Sequence, residues 1–359
     1  MYSFVDVHKR YGLKTVALRR INLQINEREF FVLYGPAGAG KSTMLNLLAG
    51  ITRPTSGDVR RDGQTIVPLP PERRNAAMAF ENYALYSHLS VAENLAFPLR
   101  AQKMSKTEAT DRVREIAKVL GITPLLERRP GFLSGGQRQR VALGRAIIRP
   151  ADIYLLDEPV GHLDAKLRHR MRAELKALAE ELDATVVFTT TSSREALALG
   201  DRIGVINHGK LEQVGTPAEL YRNPDNAFVA SFIGDPPMSF ISVAARRSGD
   251  RASLYTEGDH FVGDVVMPPI DTDNLQIGIR ANALRLVDHD KADAVPARIQ
   301  VVEHLGHSNI AVVQVGQDQV SVSLPPDQHP KEGDQVGLEI IDRGFRLFQG
   351  ETAVSAEVV

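Results

Sequence analysis

Residues Gly35 to Thr43, reading Gly-Pro-Ala-Gly-Ala-Gly-Lys-Ser-Thr, fill the pattern G-x-x-x-x-G-K-[ST] and restrict the possible folds more sharply than any other stretch of the chain. Such a loop works only between a strand and a helix. Its glycines let backbone N–H groups close around phosphate oxygens, and the helix N-terminus adds the positive end of its dipole. Both flanks comply: Phe30–Leu33 reads as a buried strand and Met44–Leu48 as the apolar face of a helix. Lys41 is then placed to reach β and γ phosphates and Ser42 to ligate Mg²⁺, with Gly35, Pro36, Ala37, Gly38, Ala39, Gly40 and Thr43 completing the cradle.

A second constellation supports the first. Ile153 to Glu158 is an apolar run ending in two carboxylates, and the carboxyl edge of an open α/β sheet is where ligands bind. Asp157 is expected to hold the metal, and Glu158 to orient the attacking water or accept its proton. On its own an Asp-Glu pair at a strand end reads as a solvated turn; the phosphate loop upstream gives it weight.

Between and after these motifs the pattern is that of an α/β chain. Phe4–Val7 and Ile21–Ile25 read as strands; Ser105 and Glu108 form a capping box opening a helix to about Leu120, closed by Gly121. Apolar residues at Leu167, Met171, Leu175, Leu178 and Leu182 mark one face of a helix, followed by a buried strand over Thr185–Thr189, so a parallel sheet is expected. Near Gly234–Pro237 helical periodicity fades. Short β-rich runs such as Ile299–Val302, Ile310–Val315 and Val320–Leu324 follow, which sets the expected boundary between an α/β domain at 1–235 and a small β-barrel-like domain at 236–359.

Composition excludes several classes. The 43 Lys plus Arg against 44 Asp plus Glu give a net charge of −1, no bias toward nucleic acid or anionic lipid. The basic segment Arg145–Arg149 and the run Arg168–Arg170 lack interleaved aromatics and read as solvated helix faces. With no cysteine there is neither a disulfide framework nor a thiolate metal site, which is compatible with the cytosol. The first ten residues carry no signal-peptide pattern and no run approaches the roughly 18–20 apolar residues of a membrane span, so any membrane role is expected to be peripheral, on the inner face.

Leu133 to Arg140, reading Leu-Ser-Gly-Gly-Gln-Arg-Gln-Arg, lies between the two nucleotide motifs and resembles the signature of ABC ATPases. The resemblance covers nearly the whole chain and is closest to sugar and glycerol-phosphate importers. It implies a P-loop NTPase domain with a helical subdomain at about 84–150 and a C-terminal OB-like regulatory domain. ATP and Mg²⁺ are the implied cofactors. Implied roles follow position by position. Tyr11 stacks on adenine; Ser134, Gly135, Gly136 and Gln137 face the γ-phosphate of ATP held by the other subunit of a head-to-tail dimer; Asp164 belongs to the loop after Glu158; Asn82–Ser90 meets the permease. Phe232–Phe240 resembles the exit into the regulatory domain, and Ile277–Asn282 and Val302–Gly306 its β motifs. The implied partners are a second ATPase subunit, two permease subunits and, indirectly, a solute-binding protein, with no nucleic acid.

Two positions depart from the resemblance. Where the family uses a Gln that touches Mg²⁺ and water, this chain has Glu81; where it uses a strand-end His, this chain has Thr191. Two unit charges about 4 Å apart interact by about 4 kcal/mol at an effective dielectric of 20, so Glu81 repels a γ-phosphate unless protonated or bound to the metal. Thr191 can donate one hydrogen bond but cannot carry charge or move a proton near neutral pH as imidazole can. Gly161 and His162 also replace the family's Ser and Asn, His162 being expected as a polar residue of the dimer face. The expectation is therefore a site that binds MgATP but hydrolyses it slowly, paired with a competent site on a different ATPase. The alternatives are a homodimer in which Lys41, Asp157 and Glu158 suffice, and a non-transport nucleotide-dependent regulator.

Overall fold

The computed structural model describes residues 1–358 apart from 162, 182, 271, 273, 293 and 342–344, and of residue 178 the backbone alone. His162 and Leu182, and the side chain of Leu178, thus lie outside the described residues. The chain forms two compact units, Met1–Pro217 and Ala218–Val359.

The first unit follows the strand–loop–helix logic of its sequence. Strands β1 (Tyr2–Tyr11), β2 (Thr15–Ile25), β3 (Phe30–Tyr34), β4 (Ser56–Arg61), β5 (Gln64–Thr65), β6 (Ala76–Ala79), β7 (Ile153–Asp157), β8 (Val186–Thr190), β9 (Arg202–Asn207) and β10 (Lys210–Gly215) form two sheets among the described residues. One has the order β2-β1-β4-β5, with antiparallel neighbours, and the other β10-β9-β3-β8-β7-β6. In the second sheet β6, β7, β8, β3 and β9 are parallel neighbours and only β10 turns back. Strands β3, β7 and β8 are buried at every position, which is why they read as continuous apolar runs rather than alternating ones. Helix α1 (Lys41–Ala49) joins the sheets: Met44, Leu45 and Leu48 share one core with Phe4, Leu18 and Ile25 on one side and Phe31, Leu155 and Val187 on the other.

Because those strands are parallel, the loops after β3, β6, β7 and β8 leave the sheet at the same edge. Leu33 pairs with Thr189, Asp157 with Thr189, and Ala79 with Leu156, so the phosphate loop, Glu81, Glu158 and Thr191 all emerge side by side.

Helices α2 (Val91–Ala101), α3 (Lys106–Val119) and α4 (Gly135–Ile147) make up the helical segment, followed by α5 (Ala165–Glu181) and α6 (Ser193–Leu199). The expected capping box at Ser105 and Glu108 is present, and the bonds to Ser105 hold the Glu108 carboxyl below its usual pKa. Ser90 with Glu93, and Ser134 with Gln137, form two more. Gly144 lets α4 approach its neighbours: a Cβ there would lie 2.7 Å from Leu120 Cδ1 and 2.9 Å from Leu95 Cδ2.

In the second unit two antiparallel sheets share one apolar core. One runs Thr352–Val354, Phe345–Gln349, Leu275–Ile279, Ser239–Ser248, Arg251–Thr256, Phe261–Val266, Glu357–Val358; the other Leu284–Val287, Gln335–Ile340, Val295–His304, Asn309–Val315, Asp318–Leu324. Strict alternation turns Ala311, Val313 and Val315 inward against Val320, Val322 and Leu324.

The compact units part at 217/218, earlier than the expected 235/236. The sequence boundary was placed where helical periodicity fades, yet Ala227–Phe232 packs on the β-rich side, with Ala230 buried against Met238 and Phe348. Arg280 fastens this helical stretch. Only 5% exposed, it donates from Nε (3.2 Å) and Nη2 (2.8 Å) to the Tyr221 carbonyl and from Nη1 to those of Ala230 (3.2 Å) and Ile233, and burial pushes its pKa down to about 10. Arg280→Met, which keeps the stem and strands these carbonyls, is expected to lower unfolding free energy by about 3 kcal/mol. Urea unfolding with nucleotide binding measured in parallel checks this; an unshifted urea transition would remove Arg280 from any stabilising role.

Candidate functional site

The phosphate loop is shaped by contacts that leave no room for side chains. A Cβ on Gly35 would lie 2.1 Å from the Ile206 carbonyl oxygen, and Gly40, at φ +110°, would place one 2.6 Å from the Ala17 carbonyl oxygen. Helix α1 starts directly after Gly40, so its first-turn N–H groups, which have no intrahelical partner, point into the loop's concavity. Lys41 is 5% exposed. Its Nζ donates to the Gly35 carbonyl at 2.8 Å and the Pro36 carbonyl at 3.0 Å and lies 3.4 Å from Glu158 Oε1.

On the neighbouring strand ends, Asp157 is buried and its Oδ1 accepts from Ser42 Oγ at 3.1 Å and from Thr189 Oγ1 at 2.7 Å. Thr189 in turn accepts from the Glu158 N–H at 3.0 Å, and the Glu158 carbonyl accepts from Gln139 Nε2 at 2.8 Å. Glu158 sits at φ +46°, a left-handed conformation that costs a non-glycine residue of order 1 kcal/mol and persists because these bonds hold it. Thr189 and Gln139 were not singled out in the sequence: a Thr in an apolar strand carries no visible signal, and the Gln lies inside the signature run.

Glu81 is exposed and lines one cleft with Ser42, Phe80, Asn82, Tyr83 and Asp157. The backbone beyond it is bent: Tyr83 and Ala84 have φ of +66° and +44°. Arg145 Nη2 donates to the carbonyls of Tyr83 at 3.3 Å and Ala84 at 2.8 Å, and its guanidinium stands 5.0 Å from the centre of the Tyr86 ring. Fully buried Asn94 ties down the rest, accepting from Tyr86 N–H and donating to the carbonyls of Tyr86, Leu89 and Ser90.

The reading of Arg145–Arg149 as a solvated face is therefore corrected. Burial lowers the pKa of Arg145, and Arg149 donates to Asn75 Oδ1 and to the Ala76 carbonyl. Arg168 is also engaged, donating to the carbonyls of Gly161 and Leu163, whereas His169 and Arg170 are exposed as expected.

The remaining expected residues sit elsewhere. Thr191 is exposed beyond β8, in a turn fixed by Thr190 Oγ1 donating to Glu195 Oε2 at 2.6 Å and by Ser192 N–H donating to Thr190 Oγ1. Asp164 caps α5 by accepting from Leu167 N–H. Tyr11 ends β1 with its ring 42% exposed and Lys9 Nζ 4.7 Å from its centre. Ser134 is the exposed N-cap of α4, its Oγ accepting from Gln137 N–H at 3.3 Å. Among the described residues no hydrogen bond joins Tyr11, Ser134, Asp164 or Thr191 to Lys41, Asp157 or Glu158.

Among the described residues no group of three or more His, Cys, Asp and Glu forms a metal cage. A hydroxyl and one buried carboxylate suit a cation that keeps several waters and takes phosphate oxygens as its other ligands, the habit of Mg²⁺ rather than of a resident structural metal. With the loop's glycine cradle and buried lysine, the donor set fits a magnesium–nucleotide.

Sheet order, phosphate loop and capped signature helix together define a P-loop ATPase of the ABC class. The family model described as "ABC transporter" matches residues 18–161, and that described as "TOBE domain" matches residues 277–348. An sn-glycerol-3-phosphate import ATP-binding protein of Rhizobium johnstonii is 41% identical over 355 residues, covering 98% of this chain and 94% of that protein. A trehalose/maltose import ATP-binding protein of Thermococcus litoralis is 40% identical, with 97% of each chain covered. The post-hydrolysis dimer of an ATP-binding cassette bound to ADP and Pi matches 60% of this chain and 99% of its own with 33% identity and a TM-score of 0.57. The chain belongs to the ATP-binding subunits of ABC importers, ATPases that use MgATP to energise transport.

Thr189→Val keeps the shape of the strand and removes the one hydroxyl shared by Asp157 and the Glu158 backbone. It is expected to raise the Mg²⁺ concentration for half-maximal ATP turnover and to lower kcat by about tenfold, the equivalent of about 1.4 kcal/mol. A magnesium titration of ATPase activity checks it; wild-type magnesium dependence would show that Thr189 does not orient Asp157.

Proposed function

We propose that this chain is the cytoplasmic motor subunit, peripheral on the inner face of the membrane, that energises import of a sugar or polyol-phosphate-like solute, and that its own nucleotide site is the slow half of an unequal pair. The solute class rests on the relatives, which are named as import ATP-binding proteins for sn-glycerol-3-phosphate and for trehalose/maltose. The partners follow from the same reading: a second, different ATPase subunit, two permease subunits, and a solute-binding protein acting through them.

In this reading Lys41 and the N–H groups of the loop from Gly35 to Thr43 hold the phosphates, and the Tyr11 ring carries the adenine. Ser42 and Asp157 hold Mg²⁺, which supplies charge neutralisation of the phosphate oxygens. Glu158 orients the attacking water and accepts its proton. Ser134 and the first turn of α4, from Gly135 to Gln137, close over the nucleotide of the partner subunit, and Asp164 lies at the same junction.

One observation carries the asymmetry: Glu81 lines the cleft that also contains Ser42 and Asp157. A carboxylate there strengthens cation binding but repels the γ-phosphate oxygens that accumulate charge in the transition state, where a neutral amide would not. Thr191, at the end of β8, offers a hydroxyl in place of a titratable ring and cannot return a proton near neutral pH. Such a site retains nucleotide and turns it over slowly.

Glu81→Gln with Thr191→His is expected to raise ATP turnover of the isolated chain by about tenfold or more, within the range that general acid–base groups contribute, while leaving the Kd for MgATP within about threefold. Turnover of wild type, the double variant and a coexpressed ATPase pair is the comparison to make. Fast, cooperative hydrolysis by the wild-type chain alone would sink the asymmetric reading and leave a homodimer.

A further inference from the structure

We infer that Arg145 is a positioning residue that latches the loop Glu81–Ser90 to helix α4, so that displacement of that loop is carried into the Ser134 turn at the start of the same helix. The inference rests on the proposed role as a transport motor for its consequence, though not for the latch itself.

Within the loop, backbone bonds from Tyr83 N–H to Phe80, Ala84 N–H to Asn82 and Leu89 N–H to Tyr86 close short turns. The loop follows the edge strand β6 and contains no regular element before α2. Its two consecutive left-handed residues, Tyr83 and Ala84, aim their carbonyls to one side, and one guanidinium nitrogen donates to both, at 3.3 and 2.8 Å. The same guanidinium faces Tyr86, whose ring packs on Phe97 of α2 at a centroid distance of 4.7 Å. Arg145 Nη1 is buried and has no hydrogen-bond partner, so the side chain is kept inside by what Nη2 and the ring provide. Burying a charge to hold two backbone carbonyls is costly, and a purely apolar contact would stabilise the fold as well. What the arginine adds is direction: its planar guanidinium donates to two successive carbonyls while its face stands against the Tyr86 ring, an arrangement that a rotating ammonium does not fix.

Both ends of α4 meet this loop. Arg145, in its last turn, holds the backbone at Tyr83, and at its first residue a Cβ on Gly135 would lie 3.9 Å from the Tyr83 hydroxyl. About ten residues of helix, some 15 Å of rise, separate the backbone positions of Gly135 and Arg145, and the helix between them moves as one element. Tyr83, its backbone held by Arg145 and its hydroxyl beside Gly135, lies along the helix between its latched end and its signature end. Asn94 holds only Tyr86 to Ser90, on the α2 side. Arg145 ties the earlier part of the loop, at Tyr83 and Ala84, to α4.

The test uses Arg145→Met, which keeps the apolar stem, and Arg145→Lys, which keeps the charge but not the planar guanidinium. In the full chain, amide hydrogen exchange over residues 82–89 is expected to speed up at least tenfold in the Met variant and less in the Lys variant, with half-saturation by MgATP within twofold of wild type. In the membrane complex, the ratio of permease-stimulated to basal ATP turnover is expected to fall at least fivefold for Met and to be partly restored for Lys, without a matching change in KM. Unchanged exchange in the loop overturns the latch, and a loosened loop with full stimulation overturns its part in coupling. Absence of any stimulation in the wild-type complex would instead defeat the transport reading, and the exchange measurement still decides the latch. Should the Met variant fail to fold, the Lys variant carries both measurements.

Discussion

Oδ1 of Asp157 receives two hydroxyls, Ser42 from the phosphate loop and Thr189 from the adjacent strand, and through it three separate pieces of chain acquire one geometry. Both hydroxyls donate to the same carboxylate oxygen and so fix the direction in which Asp157 faces a cation. Thr189 relays the position onward by accepting from the Glu158 N–H, and Gln139 of the signature helix receives the other side of the same residue through the Glu158 carbonyl. A buried charge held by hydrogen bonds from both sides is tolerable where a free one is not. The parallel register of β3, β8 and β7 makes it possible, because it brings Thr189 opposite both Leu33 and Asp157 at the ligand edge of the sheet.

Around that point the charge balance is uneven. Lys41 is the cation in direct contact, and Glu158 lies 3.4 Å from its Nζ. Asp157 and Glu81 line the same cleft on the other flank, and no arginine or lysine is among the residues lining it. A site with this balance favours a divalent cation and tolerates a polyphosphate only together with one, so its affinity for nucleotide is expected to follow magnesium closely. The low-dielectric part of the site is the Lys41–Asp157 side; Glu81 is exposed and its repulsion is screened by water, a screening that the proposed closure by a partner subunit would remove. The penalty of Glu81 therefore falls on the closed, hydrolysing state more than on initial binding.

Legibility in the sequence divided along physical lines. The phosphate loop was readable because its requirement is a backbone one: Gly35 and Gly40 stand where any Cβ would meet a carbonyl. The Ser105 capping box was readable because both partners are local in sequence. Thr189 was hidden, since a threonine in a buried strand is ordinary β-sheet composition and its two partners lie on other elements. Arg145 was misread for a related reason: charge spacing along a helix says which residues share a face, but not that the loop after β6 folds over that face. The helical stretch after residue 217 shows the same limit, because periodicity identifies helices, while contacts with distant residues, Arg280, Met238 and Phe348 among them, decide which unit they join.

The turn after β8 bears on the proposal that this site is slow. Thr190 and Glu195 keep a short bond, Ser192 caps α6, and Arg168, which holds the backbone after Glu158, lies 3.7 Å from the Glu195 carboxylate. All the scaffolding that would orient a group at position 191 toward the nucleotide edge is in place; the side chain it presents is a threonine. Such a scaffold restrains the backbone whichever side chain sits there, so its persistence does not require a catalytic residue. It requires only that the two loops at the sheet edge, after Glu158 and after Thr190, keep one relative position. A subunit that responds to nucleotide by changing shape needs that restraint as much as one that hydrolyses it. On the proposed reading the chain retains the parts that sense and transmit MgATP and differs at the two positions, Glu81 and Thr191, where chemistry and not geometry is decided.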